Sequence, residues 1–258
     1  MMTTTTIELD LFQENITHLS TNELGNFIAI TSRNRVIISG TEIPLELGVD
    51  ILMARIINEE KILIVLDRPA SIANALIIDY TGKPYVKFSI GTSINDIKIN
   101  GKRIIVSYFD EGVLQGDKPD CDALAVFNFN GEQVFGFNSS NLQDQLIDCY
   151  CVANWGNGKI VFNGYGNFSL QELDVSSFNL VSYEIPSVCI GAQSVSTKAG
   201  NIVFHSTYKD KTSFLVWNLH SGELSQIASD FKNVLSTENG CFYQVYKKSF
   251  TIINPLEL

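Results

Sequence analysis

Ile97-Lys98-Ile99-Asn100-Gly101-Lys102-Arg103-Ile104-Ile105-Val106 sets two short apolar runs on either side of an Asn-Gly turn. Asn-Gly between alternating apolar residues is a strong hairpin signal, because both residues accept the positive φ of a tight turn. The unit returns as Val195-Ser196-Thr197-Lys198-Ala199-Gly200-Asn201-Ile202-Val203-Phe204 and as Val234-Leu235-Ser236-Thr237-Glu238-Asn239-Gly240-Cys241-Phe242. A second pattern accompanies it: Ile77-Ile78-Asp79-Tyr80-Thr81-Gly82, Val126-Phe127-Asn128-Phe129-Asn130-Gly131 and Val216-Trp217-Asn218-Leu219-His220-Ser221-Gly222. There an Asp or Asn opens the turn, placed to accept hydrogen bonds from turn amides, and a glycine supplies positive φ near its end. The two hairpins alternate down the chain with a period of roughly 35–57 residues, the mark of a repeat architecture.

Working outward from these hairpins, the chain divides into units of four strands. Unit one takes 16–20, 27–31, 35–39 and 43–47; unit two takes 53–57, 62–67, 74–79 and 85–89. Unit three takes 96–100, 103–108, 123–128 and 133–138; unit four takes 148–153, 159–163, 170–174 and 180–185. Unit five takes 192–197, 201–206, 214–218 and 224–228. The sixth has only three: 233–236, 241–246 and 250–254. Thr6–Phe12 alternates polar and apolar residues and belongs to no unit. A spare N-terminal strand and a missing C-terminal one predict a ring closed by pairing the termini, which leaves no long open edge. The recurrence covers the whole chain and resembles the six-bladed β-propellers. It implies an all-β, single-domain ring of four-stranded antiparallel blades, at about 15–48, 49–91, 92–141, 142–187, 188–229 and 230–258 plus 6–12. Two turns depart from the pattern: Asp174-Val175-Ser176-Ser177 lacks the glycine, and Glu59-Glu60 replaces it in unit two. The Gly-His and Trp-Asp dipeptides of WD40 repeats are absent, Trp217-Asn218 coming nearest.

Composition agrees with many buried strand faces: 45% of residues are hydrophobic and only 18% charged, the opposite of a disordered chain. The formal charge of −10 repels nucleic-acid backbones and suits a basic protein partner. Met1-Met2-Thr3-Thr4-Thr5-Thr6 has neither the basic nor the apolar segment of a signal peptide. No run approaches the ~18 apolar residues of a membrane span. The five cysteines lie in strand-like runs, so the expectation is free thiols in the cytoplasm.

Ser107-Tyr108-Phe109-Asp110-Glu111-Gly112-Val113, followed by Phe127-Asn128-Phe129-Asn130-Gly131-Glu132, Phe137-Asn138 and Asp148-Cys149-Tyr150, is similar to a group of uncharacterised bacterial propellers. Genes of that kind can sit in toxin–immunity neighbourhoods, so the resemblance implies an immunity-type inhibitor.

Propeller loops from second to third strand, and from one blade to the next, share one face. The longest here are 68–73, 109–122 and 139–147, and long loops on a rigid scaffold are where function concentrates. The second carries Asp110, Glu111, Asp117, Asp120 and Asp122, and Asp148 opens the next blade. These six acids are the expected contact with a basic partner. Their spacing does not fit a calcium loop, because Pro119 and Cys121 interrupt it. No metal or cofactor is therefore expected. Cys149 and Cys151, two apart on a strand, are expected on one face as packing residues. His205 is a lone histidine with no nucleophile beside it, and no catalytic residue is assigned. The alternative reading is a hydrolase or lactonase-like enzyme, with Asp67, Asp110, Asp148, Asn154 and Asn163 converging on a channel metal. A sialidase-like variant would use Arg33, Arg35 and Arg68. A third reading is a structural adaptor with no localised site.

Overall fold

The computed structural model describes residues 2–69, 72–140, 144–156, 158–166 and 168–256. They form six four-stranded antiparallel sheets. Blade one comprises Ile16–Thr21, Phe27–Thr31, Val36–Ile38 and Thr41–Ile43. Blade two comprises Ile51–Ile56, Lys61–Leu66, Ala75–Asp79 and Pro84–Phe88. Blade three comprises Ile94–Asn100, Arg103–Tyr108, Leu124–Asn128 and Gln133–Gly136. Blade four comprises Asp148–Asn154, Lys159–Tyr165, Ser169–Asp174 and Leu180–Glu184. Blade five comprises Ser194–Lys198, Asn201–His205, Phe214–Asn218 and Leu224–Ile227. Blade six takes Leu235–Ser236, Phe242–Val245 and Ser249–Asn254, and its outermost strand is Thr3–Glu8.

The period of two along each second strand explains the ring. Ile62, Ile64 and Leu66 pack toward blade one, while Leu63 and Val65 pack toward blade three. Every blade is thus apolar on both faces and must be sandwiched between neighbours, each buried Ile or Leu contributing about 1.5–3 kcal/mol. The cores lie between consecutive blades. The closing core joins Tyr243, Phe250 and Ile252 of blade six to Leu19, Phe27 and Ala29 of blade one. Thr3–Glu8 runs antiparallel to Ser249–Asn254, from Thr3 opposite Asn254 to Glu8 opposite Ser249.

The two largest differences from the expected strand bounds have identifiable reasons. The closing strand is Thr3–Glu8, not Thr6–Phe12. Leu9 and Leu11 continue the alternation but leave the ladder and enter the closing core. The outer strand of blade one is Thr41–Ile43, not 43–47. Ser39 and Gly40 take positive φ in a tight turn, and Pro44 follows with no N–H to continue the ladder.

The turns follow their side chains. Asp79 Oδ1 accepts from the amides of Thr81 and Lys83 at 2.9 and 3.0 Å. Asn128 Oδ1 accepts from Asn130 and Glu132 at 2.9 and 3.0 Å. In the turn of blade four that lacks glycine, Phe178 takes the positive φ, at 59°. Its ring stacks on Phe135 with centroids 5.0 Å apart, so packing offsets the backbone cost. Asn58 replaces the missing glycine contact in blade two, accepting from Glu60 and Lys61 at 2.9 Å.

Four innermost strands share a register shift near their start, between Ile16 and His18, Ile51 and Met53, Ile94 and Asp96, and Cys149 and Cys151. A bulge leaves one extra residue unpaired and re-aims the side chains that follow. This corrects the expectation for the cysteines. Cys149 packs between blades three and four, and Cys151 between blades four and five. Cys151 Sγ donates to Asn163 Oδ1 at 2.9 Å. All five cysteines are free thiols. Burial raises the Cys149 and Cys151 thiols far above the ordinary range, so neither is a ready nucleophile.

Candidate functional site: an acidic and aromatic face above a plugged channel

The innermost strands run from one face of the disc to the other. Connections between second and third strands, and between blades, make the upper face; the hairpins between first and second strands make the lower one. The segment read as the longest loop is folded. Asp110–Gln115 is a short helix, ended by Gly116 in the left-handed conformation, and Asp120–Asp122 is a single 3-10 turn. Gly112 lies against Ser93 and Asp120 so closely that a Cβ would stand 2.6 and 2.8 Å from theirs. The helix therefore lies down on the blade.

This folding divides the six predicted acids. Asp120 and Asp122 are buried. Asp120 accepts from the Thr92 amide at 3.0 Å and from its hydroxyl at 3.1 Å. Asp122 accepts from Gln133 Nε2 at 2.5 Å and from the Ser139 amide at 3.0 Å. Both are turned inward as braces for neighbouring connections, so they do not belong to an acidic contact surface. Asp110, Glu111 and Asp117 are exposed, and Asp148 is half-buried. The helix carrying Asp110 and Glu111 packs against the strand that begins at Asp148. Among the described residues, Asp148 Oδ1 is buried with no hydrogen-bond partner. Desolvation, then the charges of Asp110 and Glu111, raise the Asp148 carboxyl to about 6.

Sequence reasoning missed the aromatic side of this face. Tyr165, Phe168 and Tyr208 are exposed and form a connected cluster with Tyr150. Ring centroids stand 6.1 Å apart for Tyr150–Tyr208, 6.4 Å for Phe168–Tyr208 and 5.6 Å for Tyr165–Phe168, all edge to face. The hydroxyls of Tyr150 and Tyr208 share a hydrogen bond. Tyr208 lies flat over Gly191, where a Cβ would meet the ring at 2.4 Å. Asp148 pairs with Tyr165 across the strands, and its charge acts on Tyr150. Acids and rings form one continuous patch on blades three to five.

Below it, the channel is closed by charge. Arg55 donates to Asp96 Oδ1 at 2.7 Å, and Lys98 Nζ stands 3.0 Å from Asp96 Oδ2. Arg55 Nε donates to the Ile97 carbonyl at 2.7 Å. Lys98 also donates to the Ser236 carbonyl and hydroxyl at 3.1 and 3.2 Å. Arg55 Nη1 stands 2.6 Å from His18 Nε2; an arginine only donates, so the imidazole accepts there and its proton sits on Nδ1. Desolvation, then the Arg55 charge, lower His18 to about 3 and keep it neutral. This plug separates a well of about 210 Å³, with Tyr150 in its wall, from a lower vestibule of about 490 Å³. Inward charges on innermost strands, as in Ile97-Lys98-Ile99, were the available signal: alternation there faces a channel, not bulk water.

The residues of the enzyme reading do not converge. Asp148 and Asn154 end the same strand on opposite faces of the disc. Asn154 Nδ2 is held by Ile99 and Glu238, and Asn163 is buried against Cys151. Among the described residues, no three His, Cys, Asp or Glu side chains stand close enough to share a metal ion. Arg35 is committed to Glu14 and Glu42 at 2.9 and 2.6 Å. His205 is fully buried, its ring 4.8 Å from Phe214, and desolvation lowers it, so it is a neutral core group. Part of two predicted loops, residues 70–71 and 141–143, lies outside the described residues. No described helix is long and apolar enough to cross a membrane.

Fold and site together define a six-bladed β-propeller. Virginiamycin B lyase from Staphylococcus aureus superposes with a TM-score of 0.55 at 9% identity, over 98% of this chain and 99% of that one. BamB from Moraxella catarrhalis gives 0.57 at 12% identity, over 98% of each chain. YCF48 bound to D1 peptide gives 0.54 at 10% identity, over 96% of this chain and 81% of that one. Such identities show a shared fold alone. No protein-family model matches the chain, and no curated protein matches it in sequence.

Replacing Asp148 with asparagine is expected to stabilise the protein at pH 7. The folded carboxyl, at about 6, lies above its ordinary 3.8, so at pH 7 the fold bears the ionised form at a cost. The full shift is worth up to ~3 kcal/mol, and discounting for its half-exposed position leaves about 1 kcal/mol. Between pH 4 and 6 the folded state holds the extra proton, so the gain should shrink as pH falls and vanish below about pH 4. Denaturant titrations at several pH values check this; a variant no more stable than wild type at pH 7 would refute it.

Proposed function

We propose that this propeller is a protein-docking module that offers its upper face to a basic partner. The observation carrying this reading is the continuous patch of exposed rings and carboxylates on blades three to five. Exposed aromatic residues gathered in one place are characteristic of interfaces. Asp110, Glu111, Asp117 and Asp148 make the field there negative, on a chain whose net charge is −10. The partner is a protein and not a nucleic acid, because that field repels phosphate. The likeness to a propeller seen bound to a peptide supports the same use of the fold. The narrower role is that of an immunity-type inhibitor, which covers the mouth of a basic bacterial toxin inside the cytoplasm.

Complementary charge acts mostly on association rate. Cross-linking in the native host, read by mass spectrometry, supplies the partner. With it in hand, Asp110→Asn combined with Glu111→Gln should slow association about tenfold at low salt and flatten its salt dependence. Stability should change by less than about 0.5 kcal/mol, since both side chains are exposed. Association unchanged in rate and salt dependence would overturn the docking face.

A further inference from the structure

The docking face contains a feature that charge alone does not explain. Tyr150, Tyr208, Phe168 and Tyr165 form a chain of edge-to-face rings across blades four and five. Tyr165, Phe168 and Tyr208 each expose between 39% and 52% of their surface. Beside this chain stands Asp148, across the ladder from Tyr165, with one carboxylate oxygen buried and, among the described residues, unpaired. A buried carboxylate oxygen without a donor costs free energy until a donor arrives. The geometry points to a socket for one arginine side chain of the partner. Its guanidinium lies against the exposed rings of the Tyr165–Phe168 pair and donates to Asp148. The inference rests on the docking reading above and names the contact at its centre.

Two features select arginine over other groups. The negative face of an aromatic ring attracts a cation, and a planar guanidinium stacks on it as an ammonium cannot. A guanidinium donates charge-assisted hydrogen bonds to a carboxylate, roughly twice as strong as neutral ones. The protein also shows that these rings seat cations: its own Lys211 Nζ stands 6.0 Å over the Tyr208 ring. Lys211 and Lys209 occupy that side of the cluster, and Lys209 Nζ donates to Ser187 Oγ at 3.3 Å. The incoming group is thereby steered to the side of Asp148, where Asp110 and Glu111 add attraction. The raised Asp148 carboxyl is consistent with this: burial, then the charges of Asp110 and Glu111, disfavour its ionised form, a cost that a bound cation relieves.

Hexa-arginine and hexa-lysine, titrated separately into the full chain by calorimetry, test the socket. Wild type is expected to bind hexa-arginine roughly fivefold more tightly than hexa-lysine, the difference made by stacking. Phe168→Leu keeps an apolar side chain but removes a ring face, and should erase that preference with the melting midpoint unchanged. Asp148→Asn should weaken hexa-arginine more than hexa-lysine. Asp110→Asn with Glu111→Gln should weaken both peptides alike and leave the preference intact. No preference in wild type, or a preference that survives Phe168→Leu, overturns the socket while leaving the docking face standing. Affinities indifferent to the Asp110 and Glu111 changes and to salt would instead remove the docking face.

Discussion

Replacing Asp96 with alanine is expected to cost about 3–5 kcal/mol, because it strands two buried cations. Arg55 and Lys98 are 10% and 15% exposed at their side chains, and both reach Asp96 within 3.0 Å. At ~2–4 °C of melting midpoint per kcal/mol in a chain of this size, the fall should be roughly 6–20 °C. The contrast that makes this a statement about charge is a triple variant, Arg55→Met, Asp96→Leu and Lys98→Met. Apolar residues of similar volume remove the uncompensated charges, so the triple should recover most of the loss. Acid should act in the same direction. Desolvation pushes the Asp96 carboxyl up, but Lys98 and Arg55 outweigh it and hold the group below its ordinary value. Its contribution is therefore present above the unfolded pKa and lost as pH falls through the folded one. His18 adds to this: between about 6.5 and 3 the unfolded chain binds a proton that the folded imidazole does not. A single variant as stable as wild type would mean that water screens the plug.

The ring was legible because its determinants are local and repeated. Period-two alternation with an Asn, Asp or Gly at each turn determines a strand, its partner and both of its buried faces from a dozen residues. Closure was legible for a related reason: a unit short of one strand and a spare strand at the other end have one mutual solution. What escaped depends on single residues acting against the pattern. Nothing in Cys149-Tyr150-Cys151 marks a bulge, yet that shift sends the two thiols into different cores. Asp120 and Asp122 read like Asp110 and Asp117, because burial of their carboxylates depends on close approaches that Gly91 and Gly136 permit from elsewhere in the chain. The aromatic cluster gathers Tyr150, Tyr165, Phe168 and Tyr208 from two blades. In sequence each is an ordinary strand or loop residue, and only the curvature of the ring brings them together. Asp110, Glu111 and Asp117, which are exposed, stand out in the sequence as a charge-rich insertion between strands.

Removing residues 1–12 is expected to be the most damaging truncation available to this chain. It takes away the ladder between Thr3–Glu8 and Ser249–Asn254 and the contact of Thr6 with the Thr251 hydroxyl at 2.9 Å. It also removes Leu9 and Leu11, which are 8% and 2% exposed. Loss of a buried leucine side chain costs about 2–5 kcal/mol, so the two leucines alone would consume much of the ~5–15 kcal/mol that holds a domain together. The two parts of the segment are separable. Removing residues 1–8 exposes the edge of Ser249–Asn254 but keeps both leucines. It should lower the melting midpoint less and promote self-association through the bared strand. Leu11→Ala in the intact chain should lower the midpoint without altering oligomeric state, because Ser249–Asn254 stays paired with Thr3–Glu8. If the strand closes the ring, a synthetic peptide of residues 1–12 should bind the truncated chain and restore its midpoint. A truncated chain that melts as the full one does, with no gain from the peptide, would show that blades one and six hold together by their shared core alone.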